Sequence, residues 1–249
     1  MKNLFLKLFN YNFLFLTGDT LVLDRWLWLN QKIKKVEKNS NFLDVGCGAG
    51  PFTIGLNKKN FECLGIDIDE EKVKKGRERA KILNLSENII QFQNIKNIIE
   101  TNLFFDCLIS FECIEHILDD KVFIDDCSRV IKKNGKIFLT TPNKFLKPIT
   151  KADLEISPIE DGGHVRVGYD EKMLVKILEK EFKNIEFFYC SGFLSQKLTF
   201  IYRKLFNINK YLAILTVLIL RPFQLVFDSL ITKLLNYQNY SICVIATKK

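Results

Sequence analysis

Residues 41–56 read Asn-Phe-Leu-Asp-Val-Gly-Cys-Gly-Ala-Gly-Pro-Phe-Thr-Ile-Gly-Leu, and the rest of the chain is organised around them. An apolar run ends in an acid, three glycines alternate as Gly46, Gly48 and Gly50, and an apolar helical pattern follows. Glycine accepts positive φ angles and lets a ligand lie against bare backbone. The helix start offers free N–H groups and the positive end of a dipole. The stretch therefore predicts a strand, a tight turn and a helix start that bind a small molecule.

Two kinds of ligand site compete for this turn. A dinucleotide turn has the pattern G-x-G-x-x-G, but Pro51 stands where its third glycine would be. Asp44 lies two residues before Gly46, where its carboxylate would repel a pyrophosphate and attract an ammonium group. The ligand is therefore expected to carry a cation, and the alternative is a purely structural turn.

Length and composition set the class of protein. The chain has 249 residues, of which 47% are hydrophobic and 27% charged, as expected for a globular chain of one large domain or one domain with an extension. Its net charge of +8 suits nucleic acid or anionic lipid as a partner, or reflects a general bias toward Lys and Asn.

The seven cysteines show neither a disulfide nor a zinc pattern. Their number is odd and no C-x-x-C occurs. This pattern predicts buried free thiols in the reducing cytoplasm, and no metal site is expected.

The chain before residue 39 predicts an N-terminal helical extension, 1–38. Residues 1–16 are rich in Leu and Phe, which favours an amphipathic helix on the domain or on a membrane surface over a signal peptide, because no small-residue cleavage site follows. After Gly18, Asp19 or Thr20 can cap a second helix to about residue 38. This helix has four side chains available for burial, Leu23, Trp26, Leu27 and Leu29.

From residue 41, strands and helices alternate, which predicts an α/β domain with a parallel sheet over 39–249. Strands are expected at about 41–45, 61–67, 88–93, 104–110, 136–141, 184–190 and 240–248. Helices are expected at about 50–59, 70–84, 120–132 and 170–181, and a turn at residues 134–135. A helical insertion, 192–239, separates the last two strands.

Asp67 closes the second strand about 20 residues after the glycine turn, where nucleotide-binding α/β folds place an acid on the ribose. Its carboxylate can accept both ribose hydroxyls. The alternative role, a helix cap, is already filled by Asp69.

Taken together, these elements resemble class I S-adenosylmethionine-dependent methyltransferases of the small-molecule type, including quinone-biosynthesis and glycan O-methyltransferases. The resemblance covers roughly residues 19–190. It is carried by the glycine turn, Asp67, the Glu-His segment at 110–117 and Thr140-Thr141-Pro142-Asn143. It implies a Rossmann-like sheet of seven strands with helices on both faces.

The resemblance also implies a site for S-adenosylmethionine. Asp44 would orient the methionine ammonium and Asp67 would hold the ribose. Asn94 would bond the adenine amine, although the family usually has Asp there. The remaining donor residues are Gly46, Cys47, Gly48, Gly50, Ile68, Ile95 and Ser110.

The acceptor side is expected after the fourth strand and in the long loop 144–168. His116 is a candidate general base, because histidine titrates near neutral pH. His164, in the loop, is a second candidate base. Glu112, Glu115 and Arg166 are candidate substrate residues, with Arg166 holding an anion. The alternative is that these side chains only pin the loop.

The insertion is helical in pattern and strongly apolar. Residues 211–220 carry no charge, but this run is too short to span a bilayer, and Arg221-Pro222 interrupts it. Residues 196–237 contain six basic residues and one acid. The pattern predicts peripheral contact with an anionic membrane, on its cytoplasmic face. A cap over the cleft and a dimer contact are the alternatives.

The predicted function is O-methylation of a small or lipid-linked acceptor, such as a quinone precursor or an envelope glycan. A non-catalytic protein that binds the donor, acting as a regulator or scaffold, is the alternative from another class. An RNA methyltransferase is a weaker one, supported only by the positive charge. DNA is not expected as a partner, because the Asp/Asn-Pro-Pro-Tyr motif of many amino-methyltransferases is absent.

Overall fold

The structure is a computed structural model that describes Leu6, residues 10–16 and residues 19–249. Within these residues seven strands alternate with nine α-helices. The strands are β1 (Asn41–Val45), β2 (Glu62–Asp67), β3 (Ile90–Phe92), β4 (Phe105–Phe111), β5 (Ile131–Pro142), β6 (Phe182–Cys190) and β7 (Ser241–Lys248). The helices are α1 (Asn12–Leu16), α2 (Thr20–Lys32), α3 (Pro51–Lys58), α4 (Glu70–Ile82), α5 (Ile95–Glu100), α6 (Asp120–Arg129), α7 (Glu171–Leu178), α8 (Phe193–Phe206) and α9 (Lys210–Leu234).

The strands form one mixed sheet in the order β3-β2-β1-β4-β5-β7-β6. The first five run parallel, and β7 lies antiparallel between β5 and β6. The order of the strands in the sheet reverses direction between β1 and β4. The carboxyl ends of these two strands therefore border the crevice where ligands bind in open α/β sheets. The predicted seven-stranded sheet is confirmed.

Both faces of the sheet are covered, which explains the near-continuous apolar sequences of β1 and β4. On one face Leu43, Ile66 and Leu108 pack under α5, α6 and α7. On the other, Phe42 and Ile109 pack under α2 and α3. The sheet is thereby rigid at the edge that carries the glycine turn.

The second N-terminal helix forms as α2, capped by Asp19, whose carboxylate accepts the N–H of Leu21 at 3.0 Å. Trp26 is buried and stacks on Phe15 of α1 with ring centroids 4.5 Å apart. The helix ends at Lys32 and continues only as a 3₁₀ turn, short of the predicted end. Leu27 is exposed, so its predicted burial is wrong, because it lies opposite the face that packs on the sheet. Gly18 and most of 1–9 lie outside the described residues.

The predicted turn at residues 134–135 lies inside β5 instead of before it. Ile131 pairs with Phe105 and Lys136 pairs with Cys107, so the intervening residues bulge out of the ladder. Asn134 takes φ 63° in this bulge, a conformation that asparagine tolerates. The strand therefore begins earlier than the sequence predicted.

The insertion folds as a helical hairpin of α8 and α9. Arg221 and Pro222 interrupt the uncharged apolar run, as the sequence shows, but they do not end α9, which runs for 25 residues with Pro222 inside it. The buried residues of α9 (Ala213, Val217, Arg221, Gln224 and Thr232) lie on both sides of Pro222, so the helix is anchored before and after the proline. By length and composition alone, α9 is the one helix among the described residues that could cross a bilayer.

Candidate functional site

The carboxyl ends of β1, β2 and β4 lie side by side. Val45 is paired with Ile66, and Asp44 with Ile109. The glycine turn, Asp67 and the segment after Phe111 therefore meet at one edge of the sheet, where the sequence placed the donor and acceptor residues.

The three alternating glycines all have positive φ, at 74° for Gly46, 56° for Gly48 and 68° for Gly50. A Cβ on Gly50 would lie 2.2 Å from Cδ1 of Ile90, and one on Gly46 would lie 2.6 Å from Sγ of Cys113. A Cβ on Gly48 would meet only the far end of a lysine side chain, 3.9 Å away. Packing requires the outer two glycines, while the middle one leaves bare backbone for a ligand.

Asp67 is tied to this turn by its carboxylate. One oxygen accepts the N–H of Gly48 at 2.7 Å, and the other accepts the N–H of Asp69 at 2.8 Å. A carboxylate has about four acceptor positions, so each oxygen can still take a ribose hydroxyl. Ile68, beside it, is 69% exposed and offers an apolar platform. These features fit the ribose and base of the expected donor.

Asp44 is buried at the end of β1. Its carboxylate accepts the hydroxyl of Thr53 at 2.6 Å, at the start of α3. Burial raises its pKa to about 7. A nearby cation would favour the ionised form, so this acid suits a ligand that brings an ammonium group.

Four other predicted donor residues are held by the protein itself. The side chains of Cys47 and Ile95 lie in the core, so only their backbone remains for a ligand. Ser110 donates its hydroxyl to the Val45 carbonyl at 3.0 Å. Asn94 caps α5 by accepting the N–H of Asn97 at 3.1 Å. Its side-chain oxygen is therefore occupied, and its side-chain N–H groups remain for a ligand. Its contact with adenine stays a prediction.

Next to the donor edge lies a cavity of about 310 Å³. It is lined mainly by charged and polar side chains: Asp19, Arg25, Glu112, Glu115, His116, Asp153, His164, Arg203 and Tyr240. Leu21 and Val22 supply an apolar side. The cavity thus joins α2, the segment after β4, the long loop and α8 in one place, and its chemistry suits an acceptor with polar groups.

Glu112 takes φ 50°, rare for a residue with a side chain. Its carboxylate pairs with Arg25 of α2 at 3.1 Å and accepts the hydroxyls of Thr140 and Ser241, each at 3.1 Å. These contacts favour an anchoring role over the predicted substrate contact. Strained backbone held by several contacts is typical of functional sites.

Glu115, His116 and His164 form a compact cluster in the cavity wall. Nδ1 of His116 donates to the Gly163 carbonyl at 2.9 Å, because that oxygen can only accept. This leaves the Nε2 lone pair of neutral His116 free. The two imidazole rings meet edge to face with centroids 4.7 Å apart.

The cluster also contains unpartnered polar atoms. Oε1 of Glu115 and Nδ1 of His164 are buried without a hydrogen-bond partner, while Oε2 of Glu115 accepts the Thr141 hydroxyl at 3.2 Å. Burial, with repulsion from Glu112, raises the pKa of Glu115. Burial, with the neighbouring His116, lowers the pKa of His164. Both groups are thus biased toward their neutral forms.

Ligand atoms of Glu115, His116 and His164 all lie within 4.8 Å of one another, a spacing that a metal ion could bridge. The sequence predicted no metal site from its cysteine pattern, and it gave no sign of this cluster, because His164 is remote from the other two residues along the chain. Folding of the loop brings it there: the N–H of Val165 donates to the Glu115 carbonyl at 2.9 Å.

Arg166 does not face the cavity as a free anion holder. Its guanidinium donates to the carbonyls of Ile114 (3.0 Å), Ile117 (2.6 Å) and Leu118 (2.9 Å). It also donates to the Tyr169 hydroxyl at 2.7 Å. The geometry favours the alternative that the sequence left open, in which Arg166 pins the loop to the segment after β4.

Several cavity residues were missed by the sequence analysis. The sequence offers one indication that Arg25 has a role, because this charged residue stands in α2 between the apolar Leu23 and Trp26. Asp153 and Arg203 gave none, because their pairing at 3.3 Å joins segments 50 residues apart.

Comparisons with known proteins agree with this geometry. Residues 36–204 match the sequence family described as "Methyltransferase domain". A bovine relative, "Ubiquinone biosynthesis O-methyltransferase, mitochondrial", is 32% identical over 108 residues, 41% of this chain and 28% of the relative. A Coxiella burnetii relative, "Ubiquinone biosynthesis O-methyltransferase", is 30% identical over 131 residues, 51% of this chain and 56% of the relative. The chain therefore matches only a quarter to about half of the length of these relatives.

Solved structures show the same fold. A SAM dependent methyltransferase from Archaeoglobus fulgidus superposes with a TM-score of 0.58 and 18% identity, covering 96% of this chain and 99% of that one. The N-methyltransferase NodS from Bradyrhizobium japonicum, solved with S-adenosyl-l-homocysteine, gives 0.55 and 15%, covering 90% and 85%. At these identities the likeness concerns the fold.

Proposed function

The chain belongs to the methyltransferase-domain family, and from this membership we propose that it methylates a hydroxyl group of a lipid-borne acceptor. S-adenosylmethionine is the methyl donor. The observation that carries the proposal is the cluster of His116 and His164 in the polar cavity beside the glycine turn. Two imidazoles at the edge of the sheet suit removal of a hydroxyl proton.

On the donor side, the chain's own residues bind and orient. The bare backbone at Gly48 lets the donor approach, Asp67 takes the ribose hydroxyls, and Asp44 attracts the ammonium. Bound donor supplies a methyl group on a sulfonium, which needs alignment more than activation. Such alignment alone can lower a barrier by about 7–11 kcal/mol.

On the acceptor side, one histidine removes the proton. Nε2 of His116 is free to accept it, since Nδ1 is committed to Gly163. His164 is the second candidate, because its lowered pKa keeps it neutral and able to accept. The methyl carbon–sulfur bond breaks as the carbon–oxygen bond forms, and the hydroxyl proton passes to the imidazole. Proton removal of this kind contributes about 10²–10⁴-fold.

The lining of the cavity and the names of the relatives both bear on the chemical class of the acceptor. Arg25 and the carboxylates of Asp19 and Asp153 line the space, which suits a ring with several hydroxyls. The relatives named for ubiquinone biosynthesis favour a phenolic ring on a prenyl tail. A sugar on a lipid carrier shares the same chemistry, a hydroxylated ring on an apolar chain.

The test offers the protein both acceptors with methyl-labelled donor: a prenylated catechol and a prenyl-linked sugar, each with an amine analogue. We expect label on an oxygen of one lipid and none on the amines. Label on an amine, or on neither lipid while the donor still binds, would contradict the proposal. The second outcome would favour the non-catalytic alternative.

A further inference from the structure

In the helical hairpin α8–α9, polar side chains face the protein and apolar side chains face outward. On α9, residues at helical spacing that face the protein include Arg221, Gln224, Asp228 and Thr232, buried or nearly so. The opposite face carries six exposed apolar side chains at the same spacing: Leu212, Leu215, Ile219, Phe223, Val226 and Leu230. A surface helix of a water-soluble domain normally shows the reverse.

The inner face is polar because it is built as a hydrogen-bonded joint. The carboxylate of Asp228 accepts the N–H groups of Gly192 (2.9 Å), Leu194 (2.6 Å) and Ser195 (3.2 Å). It thereby caps the start of α8 from the neighbouring helix. A Cβ on Gly192 would lie 2.8 Å from this carboxylate, so glycine is needed there.

The same joint continues onto α2. The amide of Gln224 donates to the Ser195 hydroxyl at 2.7 Å and to Asp24 at 3.3 Å. The hairpin is thus fixed to the domain by its polar side, and its apolar side faces outward by construction.

We propose that the outer face of α8–α9 docks on the surface of an anionic lipid bilayer, with the helices lying in its interface. Lipid fits the charge of the hairpin. From residue 193 to 239 the one acid is Asp228, which is turned inward, while Lys197, Lys204, Lys210 and Lys233 are exposed. An apolar face rimmed by lysines is typical of interfacial helices on anionic membranes.

A spanning α9 fits less well, although its length of 25 residues would suffice. To cross the bilayer, α9 would leave α8 and α2 and carry Arg221, Gln224 and Asp228 into hydrocarbon. Ionisable groups there are costly unless they face other protein groups. Lying in the interface keeps the polar joint intact.

The docked hairpin borders the cavity through α8. Arg203 projects from α8 toward it and donates to Asp19 at 3.1 Å and to Asp153 at 3.3 Å. Because α8 belongs both to the docked hairpin and to the cavity wall, we expect a lipid-borne acceptor to reach the cavity while its tail stays in the bilayer. This last step rests on the proposed function, whereas lipid docking itself does not.

The test is flotation of the full chain, without donor or acceptor, on vesicles of phosphatidylcholine and phosphatidylglycerol in equal parts. We expect binding that weakens on phosphatidylcholine alone and is lost on alkaline carbonate extraction. The double variant Ile219→Ser, Val226→Ser should partition at least about tenfold less, because two apolar side chains leave the lipid.

The matched control is Leu103→Ser, Phe104→Ser, at the amino end of β4 on the opposite edge of the sheet. These two side chains are each 51% exposed, and their replacement should leave flotation unchanged. Thermal unfolding checks that all variants fold. If the outer-face variant fails to fold, Lys204→Glu with Lys210→Glu replaces it and should weaken binding to the anionic vesicles alone.

Four results would overturn the proposal. These are equal flotation of the outer-face variant and the control, absence of vesicle binding, resistance to carbonate, and a dimer in solution that the outer-face variant converts to monomer. Because no acceptor is present, failure of methyl transfer does not alter the readout.

Discussion

At the scale of single residues, Asp67 gives the sharpest test of the proposed donor site. Its carboxylate holds the turn by accepting the N–H of Gly48, and we propose that it also accepts the ribose hydroxyls. We predict that Asp67→Ala weakens S-adenosylmethionine binding by at least about 100-fold, because two hydrogen bonds to a charged group, each contributing about 1.5–3 kcal/mol, are lost. Calorimetric titration measures it. Asp69→Asn, which alters a helix cap and an exposed ion pair with Lys72, is the control, and equal affinities of Asp67→Ala and wild type would remove the ribose assignment.

Asp44 should make donor binding depend on pH. Its pKa is raised to about 7 in the free protein, and an ammonium binds the ionised form. Donor affinity should therefore increase as pH rises from about 5.5 to 7, up to about tenfold per unit, while the donor's own ammonium stays protonated. Titration at several pH values measures this, and Asp44→Asn should flatten the curve. A flat wild-type curve would contradict the role.

The effect of pH on folding stability through Asp44 has the opposite sign to its effect on donor affinity. Because the folded pKa of Asp44 lies above its unfolded value of 3.8, the free protein binds more protons than the unfolded chain between these values. Stability from this group is present at low pH and declines as pH rises toward 7. Ligand binding reverses the preference by favouring the ionised form.

Variants and pH profiles should show which of the two histidines acts as the base. Replacing the one that acts as base, by His116→Asn or His164→Asn, should lower kcat by about 10²–10⁴-fold with little change in donor affinity. If His164 is the base, the acid limb of kcat/KM should lie below 6.5, because its pKa is lowered. Steady-state assays measure both, and a loss smaller than tenfold in each variant would exclude base catalysis by this pair.

At this scale the sequence was most informative where function depends on local backbone. The glycine turn and Asp67 could be assigned because spacing within one strand–turn–helix unit determines their geometry. His116 and His164 could be named but not placed together, since their contact depends on a loop of irregular structure. Arg166 shows the limit: a long cation near a site suits ligand binding and loop pinning equally until its partners are known.

At the scale of elements, the joint between α8 and α9 is the most distinctive feature. Asp228→Ala would leave three backbone N–H groups at the start of α8 without their acceptor. We predict a loss of about 2–4 kcal/mol in the free energy of unfolding, measured by urea denaturation. Hydrogen exchange should rise at the start of α8. The surface variant Asp125→Ala, which breaks an exposed ion pair, should cost under about 1 kcal/mol, and equal losses in the two would contradict the capping role.

The elements themselves were largely predictable, because apolar periodicity and caps such as Asp19 and Asp69 are local signals. The turn predicted at 134–135 was misjudged. It sits within a strand, because pairing of Ile131 and Lys136 with β4 outweighs the local preference. The polar inner face of α9 was equally hidden, since its partners lie on α2 and at the start of α8.

At the scale of the whole molecule, the cavity lies between the edge of the sheet and the helical hairpin. The segment after β4, which packs against Gly46 of the donor turn through Cys113, lines the cavity, and Arg203 of α8 lines it as well. Arg25 on α2 and Arg203 on α8 tie both helices to this cavity through Glu112 and Asp19. This arrangement explains why the insertion lies just before the last strand, beside the acceptor side of the sheet.

We propose that the chain moves a methyl group from S-adenosylmethionine to an oxygen of a lipid-borne acceptor. The most direct measurement incubates the protein with methyl-labelled donor and a cell-envelope lipid extract, and identifies the labelled product by mass spectrometry. We predict an oxygen-linked labelled methyl on one lipid with wild-type protein, and its near absence with Asp67→Ala. Donor binding without any labelled product, or label on nitrogen or nucleic acid only, would contradict the account.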